Sequence, residues 1–84
     1  MPVETLLPLE LLESGEWAEI AEIFGEPTWI QRLVELGVRV GCRVHVLQGG
    51  SPCLVQIGGV RLSLRNDGPT RILVVPHGPS EPTA

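Results

Sequence analysis

The pattern that most limits the fold of this chain lies in residues 42–65, where short segments of alternating apolar and polar residues are separated by glycine pairs. In the first segment, Cys42 and Val44 fall on one face and Arg43 falls on the other. Gly49-Gly50 and Gly58-Gly59 interrupt the alternation, as tight turns between antiparallel strands do. The stretch therefore predicts three strands, over residues 42–48, 53–57 and 60–65.

Two more strands and one helix complete the predicted set. Residues 16–24 alternate but do not show which face of the strand points to the core, since Ala18 and Ile20 share a face with Glu22. Residues 27–36 change to helical spacing, with Pro27 suited to the first turn and Gly37 to a left-handed C-terminal cap. A final short strand is expected over residues 72–75, and a helical turn around residues 9–13.

These elements predict a mainly β fold, a small SH3-like β-barrel of about five strands with one short α-helix inserted after the first strand. An OB-like barrel is the second choice. Closure of the barrel removes the exposed edges that a flat sheet of this size would present. The length of 84 residues suits one domain with a limited core. We expect this domain over residues 1–76 and a proline-rich, disordered tail over residues 77–84.

The charge of the chain argues against a nucleic-acid partner. The formal net charge is −4, the pI is about 5.0, and all six cationic side chains are arginines. Nucleic-acid-binding domains usually carry a basic surface that neutralises phosphates. We therefore expect no nucleic-acid binding, although a local group of arginines can dock on an acidic protein surface.

The hydropathy pattern predicts a soluble, cytoplasmic protein without direct membrane insertion. No stretch reaches the ~20 apolar residues that a membrane-spanning helix needs. No basic residue precedes Arg32, whereas a secretory signal begins with a positive charge.

One stretch resembles a known family. Residues 32–44 read Arg-Leu-Val-Glu-Leu-Gly-Val-Arg-Val-Gly-Cys-Arg-Val, in which a helix ends at Leu-Gly and a second glycine follows four residues later. This is similar to the signature of the FeoA family, and the resemblance extends over roughly residues 6–75. By this interpretation Gly37, Val38 and Gly41 are structural residues. The segment 66–70 departs from the family, because Asn-Asp-Gly-Pro-Thr replaces a short helical turn.

The resemblance implies a function as well as a fold. Members of the family are accessory proteins of bacterial ferrous iron uptake, and they are thought to engage the cytosolic GTP-binding domain of FeoB, a membrane transporter. The same module ends iron-dependent repressors, where it makes protein contacts. The resemblance therefore implies a FeoB-type transporter as partner, and a metal-responsive regulatory module as the alternative.

The candidate partner-binding residues are one tryptophan and four arginines on outward-facing positions: Trp29, Arg39, Arg43, Arg61 and Arg65. Tryptophan and arginine are enriched at binding hot spots. The alternatives are that Trp29 covers a small core and that the arginines form an ordinary solvated surface. An exposed hairpin edge also allows a homodimer.

Cofactors and catalytic groups are not predicted. His45, His77, Cys42 and Cys53 lack the paired spacing of a structural metal site, so weak binding of a transition-metal ion to a surface histidine is the most that we expect. A Cys42–Cys53 disulfide is disfavoured, because the first hairpin would pair residue 42 with about residue 57 and residue 53 with about residue 46.

The chain is predicted to be non-enzymatic. Its serines have no neighbouring base, and its glycine pairs lack the ending of a phosphate-binding loop. Glu19 and Glu22 fall on opposite faces of the predicted strand and so cannot act as an acid–base pair.

Overall fold

The structure is a computed structural model that describes residues 5–50, 52–65 and 70–79. It contains six strands, one α-helix and one 3₁₀ turn (Leu9–Leu11). The strands and the helix, in chain order, are β1 (Leu7–Pro8), β2 (Trp17–Phe24), α1 (Pro27–Glu35), β3 (Arg43–Gln48), β4 (Cys53–Ile57), β5 (Val60–Leu64) and β6 (Arg71–Gly78).

All six strands join one antiparallel sheet in the order β1-β6-β2-β3-β4-β5. The predicted SH3-like β fold is confirmed, with the helix after the first long strand. The extra strand, β1, pairs Leu7 with Val74 and Pro8 with Leu73. A strand of two residues is too short to show an alternating pattern, so β1 could not be predicted from the sequence.

A β-bulge in β2 decides which of its side chains face the core. The register against β6 shifts between Ile20 and Glu22, so one extra residue turns the strand over. Ala18 and Ile20 are buried before the bulge, and Ile23 packs against the core after it. Glu19 and Glu22 are both exposed, so the prediction of opposite faces was wrong.

The C-terminal end of α1 forms a Schellman motif. The N–H of Gly37 donates to the carbonyl of Val34 at 3.0 Å, and the N–H of Val38 donates to that of Leu33 at 2.8 Å. Gly37 has a φ of +97°, a conformation that penalises any Cβ. Val38 is fully buried, so this cap joins the helix to the core.

The last strand continues beyond its predicted end. We expected a strand over residues 72–75, but β6 runs from Arg71 to Gly78 and pairs Pro76 with Ala18 and Gly78 with Trp17. Residues 77 and 78, assigned to the tail from sequence, therefore lie in this strand. Residues 80–84 of the tail and residues 66–69 of the unusual segment lie outside the described residues.

The core is a cluster of apolar side chains contributed by β2, β3, β4, β6, α1, the turn after α1 and the N-terminal segment. Its members are Leu9, Leu12, Ala18, Ile20, Leu33, Val38, Val44, Val46, Cys53, Val55, Ile72 and Val74.

The hydrogen bonds between strands do not run around the whole barrel. Within the described ranges, β5 pairs with β4 on one edge and has no strand on its other edge. Along this edge, strand pairing therefore does not close the barrel.

None of the described helices is long and apolar enough to cross a membrane.

Candidate protein-interaction site

A groove separates α1 from β5 on the side of the molecule where the ladder is open. Its volume is about 370 Å³. The helix and its C-terminal cap contribute four lining residues, β5 and the residue after it contribute three, and the eighth precedes β6: Trp29, Arg32, Leu33, Leu36, Ser63, Leu64, Arg65 and Thr70. We call this the α1–β5 groove. Its lining combines apolar side chains with two arginines.

Trp29 occupies a restricted position at the end of the groove. A Cβ at Gly25 would lie 2.8 Å from Cε3 of Trp29 and 2.9 Å from Cγ2 of Thr70. The indole therefore packs directly against the glycine backbone at the end of β2. The side chain is half-buried and contacts the core, so Trp29 serves as a lid while one part of it stays accessible.

A narrow cavity of about 20 Å³ continues from the α1–β5 groove into the barrel. Trp29, Leu64, Arg65 and Thr70 line both spaces. The cavity reaches Cys53, Leu9 and Ile72, which are core residues. Side chains rather than a ladder thus close the barrel at this seam.

The five candidate residues do not share one groove. Trp29 and Arg65 line the α1–β5 groove. Arg61 is exposed and lies on β5, the strand that forms one wall of this groove. Arg43 lines a different groove of about 440 Å³ together with Trp17 and Ile57. The exposed Arg39 lies in the turn before β3, where its N–H donates to Sγ of Cys42 at 3.5 Å. The four candidate arginines therefore divide between two surfaces.

Arg32 is a residue of the α1–β5 groove that the sequence analysis did not select. It lies one helical turn after Trp29, and residues three apart on a helix are neighbours. This spacing was the signal that was available to find it.

Trp17 and His45 form an aromatic pair on the outer face of β2 and β3. The two residues are direct cross-strand partners, and their rings stack with centroids 4.3 Å apart and an angle of 8° between the planes. The pair stabilises the strand contact. Sequence reasoning missed it because the β2–β3 register depends on the whole sheet.

The two cysteines are free thiols in different surroundings. Cys42 is half-buried and Cys53 is buried in the core. The strand register expected around the two cysteines was wrong by two residues. Residue 46 was expected opposite residue 53, but Val46 pairs with Val55, and a bulge follows between Val46 and Gln48. Burial, and secondarily the charge of Glu10, raises the pKa of the Cys53 thiol.

Metal-ligating side chains do not assemble in the part of the chain that the structure describes. Over residues 5–50, 52–65 and 70–79, no three histidine, cysteine, aspartate or glutamate side chains lie close enough to hold one ion.

Comparison with known families gives the assignment. A sequence model of the FeoA domain matches residues 7–76, which include all of β1 to β5 and most of β6. The chain belongs to the FeoA family. The match includes the helix end at Leu36-Gly37 and the turn at Gly41.

The solved structures that are similar to this FeoA-family chain include the following two. A crystal structure of the iron uptake regulatory protein FeoA is 25% identical, with a TM-score of 0.75, and the match covers 87% of this chain and all of that one. A manganese-dependent transcriptional repressor is 20% identical, with a TM-score of 0.76, over 89% of this chain and 44% of the repressor. The second likeness concerns the fold alone. A comparison with curated protein sequences finds no significant match.

Proposed function

We propose that this chain is a non-enzymatic, cytoplasmic accessory protein of ferrous iron uptake. It binds the cytosolic GTP-binding part of a FeoB-type transporter and modulates that transporter. The observation that carries this proposal is the match of the FeoA domain to residues 7–76.

The surface of the molecule supports a protein partner. Leu11 and Val40 are 65% and 63% exposed, and Leu36 at the α1–β5 groove is 45% exposed. Arginines lie on both candidate surfaces, and interfaces between proteins are enriched in arginine beside apolar side chains. Two surfaces are available to the transporter, the α1–β5 groove and the surface around Arg39 and Arg43.

The decisive experiment is a titration of the full chain into the isolated GTP-binding domain of the transporter from the same organism. Calorimetry gives the dissociation constant without nucleotide, with GDP and with a non-hydrolysable GTP analogue, each with and without Fe²⁺ under anaerobic conditions. We expect saturable binding whose affinity depends on the nucleotide. Absence of binding at high micromolar concentration, to the domain and to the full-length transporter, would contradict the proposal.

The alternative function is a metal-responsive regulatory module. It takes its support from the fold shared with the manganese-dependent repressor. Titration of the chain alone with Mn²⁺ and Fe²⁺, followed by tryptophan fluorescence, tests it. A stoichiometric change of the spectrum together with a silent transporter titration would favour this alternative.

A further inference from the structure

The free edge of β5 presents backbone groups that have no strand partner among the described residues. Ile57 pairs with Val60 across a two-residue turn, and φ is +60° at Gly58 but not positive at Gly59, the pattern of a type II′ hairpin. In such a hairpin the pair next to the turn is hydrogen-bonded, and the bonds alternate from there. Leu62 and Leu64 therefore bond towards β4. The N–H and C=O groups of Arg61 and Ser63 point to the opposite edge.

The α1–β5 groove beside this strand is apolar with cationic margins. Trp29, Leu36 and Leu64 supply its apolar surface, and Arg32 and Arg65 supply its charge. None of the described residues that line the groove carries a carboxylate. Glu10 lines the narrow cavity behind it, together with Arg65 and Arg71. An occupant that carries acidic side chains beside apolar ones complements this surface.

A second copy of this chain complements the edge less well than an acidic segment does. Residues 60–65 carry Arg61 and Arg65 and no carboxylate, and in the antiparallel register centred on Ser63 these arginines would lie opposite each other. Like charges directly opposite each other destabilise a sheet. The charge of this edge therefore favours an acidic partner over the chain itself.

We propose that the free edge of β5 and the α1–β5 groove bind an extended, acidic and apolar segment of the partner protein as an added strand. Main-chain hydrogen bonds to Arg61 and Ser63 hold the segment, while alternate side chains enter the groove or face the arginines. The identity of the partner as a FeoB-type transporter rests on the function proposed above. The chemistry of the segment rests on the edge and the groove alone.

The first test removes one edge donor without removing a bond of the β4–β5 ladder. Ser63→Pro deletes an N–H that points away from β4, and proline is tolerated on an edge strand in that orientation. We expect binding to the GTP-binding domain to weaken about three- to tenfold in Ser63→Pro and to weaken less in Ser63→Ala, which shortens the side chain but keeps the backbone N–H. Equal affinity of both variants and the parent, with thermal unfolding confirming that all are folded, would overturn the proposal.

The second test separates the two surfaces by charge reversal. Arg65→Glu places a carboxylate in the groove, whereas Arg39→Glu makes the same change in the turn before β3. We expect Arg65→Glu to weaken binding on the order of tenfold and Arg39→Glu to leave it unchanged. The reverse result would move the interface to the surface around Arg39 and Arg43 and overturn the proposal, while the proposed function would stand.

Synthetic peptides keep the inference testable if the transporter domain does not bind. A fluorescein-labelled peptide of about eight residues alternates valine with glutamate, and its control replaces each glutamate by lysine. Fluorescence anisotropy with the full chain should show binding of the acidic peptide, at least tenfold weaker binding of the basic one, and about three- to tenfold weaker binding of the acidic peptide to Ser63→Pro. Binding with this pattern beside a silent transporter would reject the proposed function alone. Equal binding of both peptides, or none, would reject the inference.

Sedimentation analysis of the chain alone tests whether a second copy of the chain occupies the edge of β5. We expect a monomer in the parent and in Ser63→Pro. A dimer that Ser63→Pro dissociates would assign the edge to a second copy and overturn the proposal.

Discussion

At the residue scale, Gly49 shows how closely two backbones approach in this molecule. A Cβ at this position would overlap the carbonyl oxygen of Leu12, and the next residue, Gly50, donates its N–H to the carbonyl of Glu10 at 3.0 Å. The turn between β3 and β4 thus lies directly on the backbone that follows the 3₁₀ turn. Any side chain at position 49 must push the two segments apart.

We expect Gly49→Ala to lower the free energy of unfolding by about 1–3 kcal/mol, because it overfills a closely packed contact. Urea denaturation followed by tryptophan fluorescence measures this change. Gly59→Ala is the matched control, since no atom lies within 4 Å of the place that its Cβ would take, and it should change stability by less than about 0.5 kcal/mol. Equal effects of the two variants would refute the close approach.

Ionisation of the Cys53 thiol should make the free energy of unfolding depend on pH in the alkaline range. Its raised pKa means that the folded state keeps the thiol proton at a pH where the unfolded chain releases it. The chain has no lysine and no tyrosine, so few other groups titrate there. The free energy of unfolding should therefore fall as the pH rises above about 8.5, the ordinary pKa of a cysteine.

Urea denaturation at several pH values between neutral and about 10 checks this slope. Cys53→Val removes the titrating group and should flatten the slope, whereas Cys42→Ala keeps Cys53 and should keep the slope. The comparison uses slopes and not absolute stabilities, because Cys53→Val also changes the packing of the core. A slope that persists in Cys53→Val would exclude Cys53 as its source.

At the scale of elements, α1 depends on its C-terminal cap. A nine-residue helix is marginal by itself, so its stability comes from its attachment to the barrel. That attachment passes through Leu33 and Val38, which are buried on either side of the Schellman motif. The left-handed conformation at Gly37 directs the chain from one to the other.

Gly37→Ala should therefore destabilise the protein by about 1–2 kcal/mol, the strain of a Cβ in the left-handed region. Gly37→Asn should cost less, because asparagine adopts this conformation more readily. No atom lies within 4 Å of the Cβ position, so the comparison isolates backbone strain from packing. Thermal unfolding by circular dichroism gives both values, and an asparagine variant as unstable as the alanine variant would contradict the explanation.

At the scale of the whole molecule, the barrel has a seam between β5 and the start of β6. Side chains of Trp29, Leu64 and Ile72 surround the narrow cavity there, in place of a ladder. The seam is where the fold offers both a groove and backbone groups to a partner. The open edge of β5, where no strand pairing closes the barrel, is therefore also the place where we propose that the partner binds.

Amide hydrogen exchange should reveal this seam in the free protein. We expect slow exchange for Leu62 and Leu64, whose amides bond to β4, and fast exchange for Arg61 and Ser63. Exchange measured by NMR distinguishes neighbouring residues. Uniform protection along β5 would mean that its outer edge is covered, contrary to this description.

The sequence by itself determined the features that depend on short-range physics. Strand β4 begins and ends at the predicted residues, because glycine turns flank it and period-two alternation marks its faces. The start of α1 at Pro27 and its cap at Gly37 followed from the chemistry of those two residues. The family signature around Gly37 and Gly41 was visible for the same reason.

Tertiary structure alone decided the features that depend on distant segments. The bulge after Ile20, the pairing of β1 and the length of β6 arise from registers between strands that are far apart in sequence. The same long-range pairing left the outer edge of β5 open and divided Arg65 from Arg43 between two grooves. Local periodicity tells which face of a strand is apolar, but only packing of the whole sheet tells which strand lies beside it.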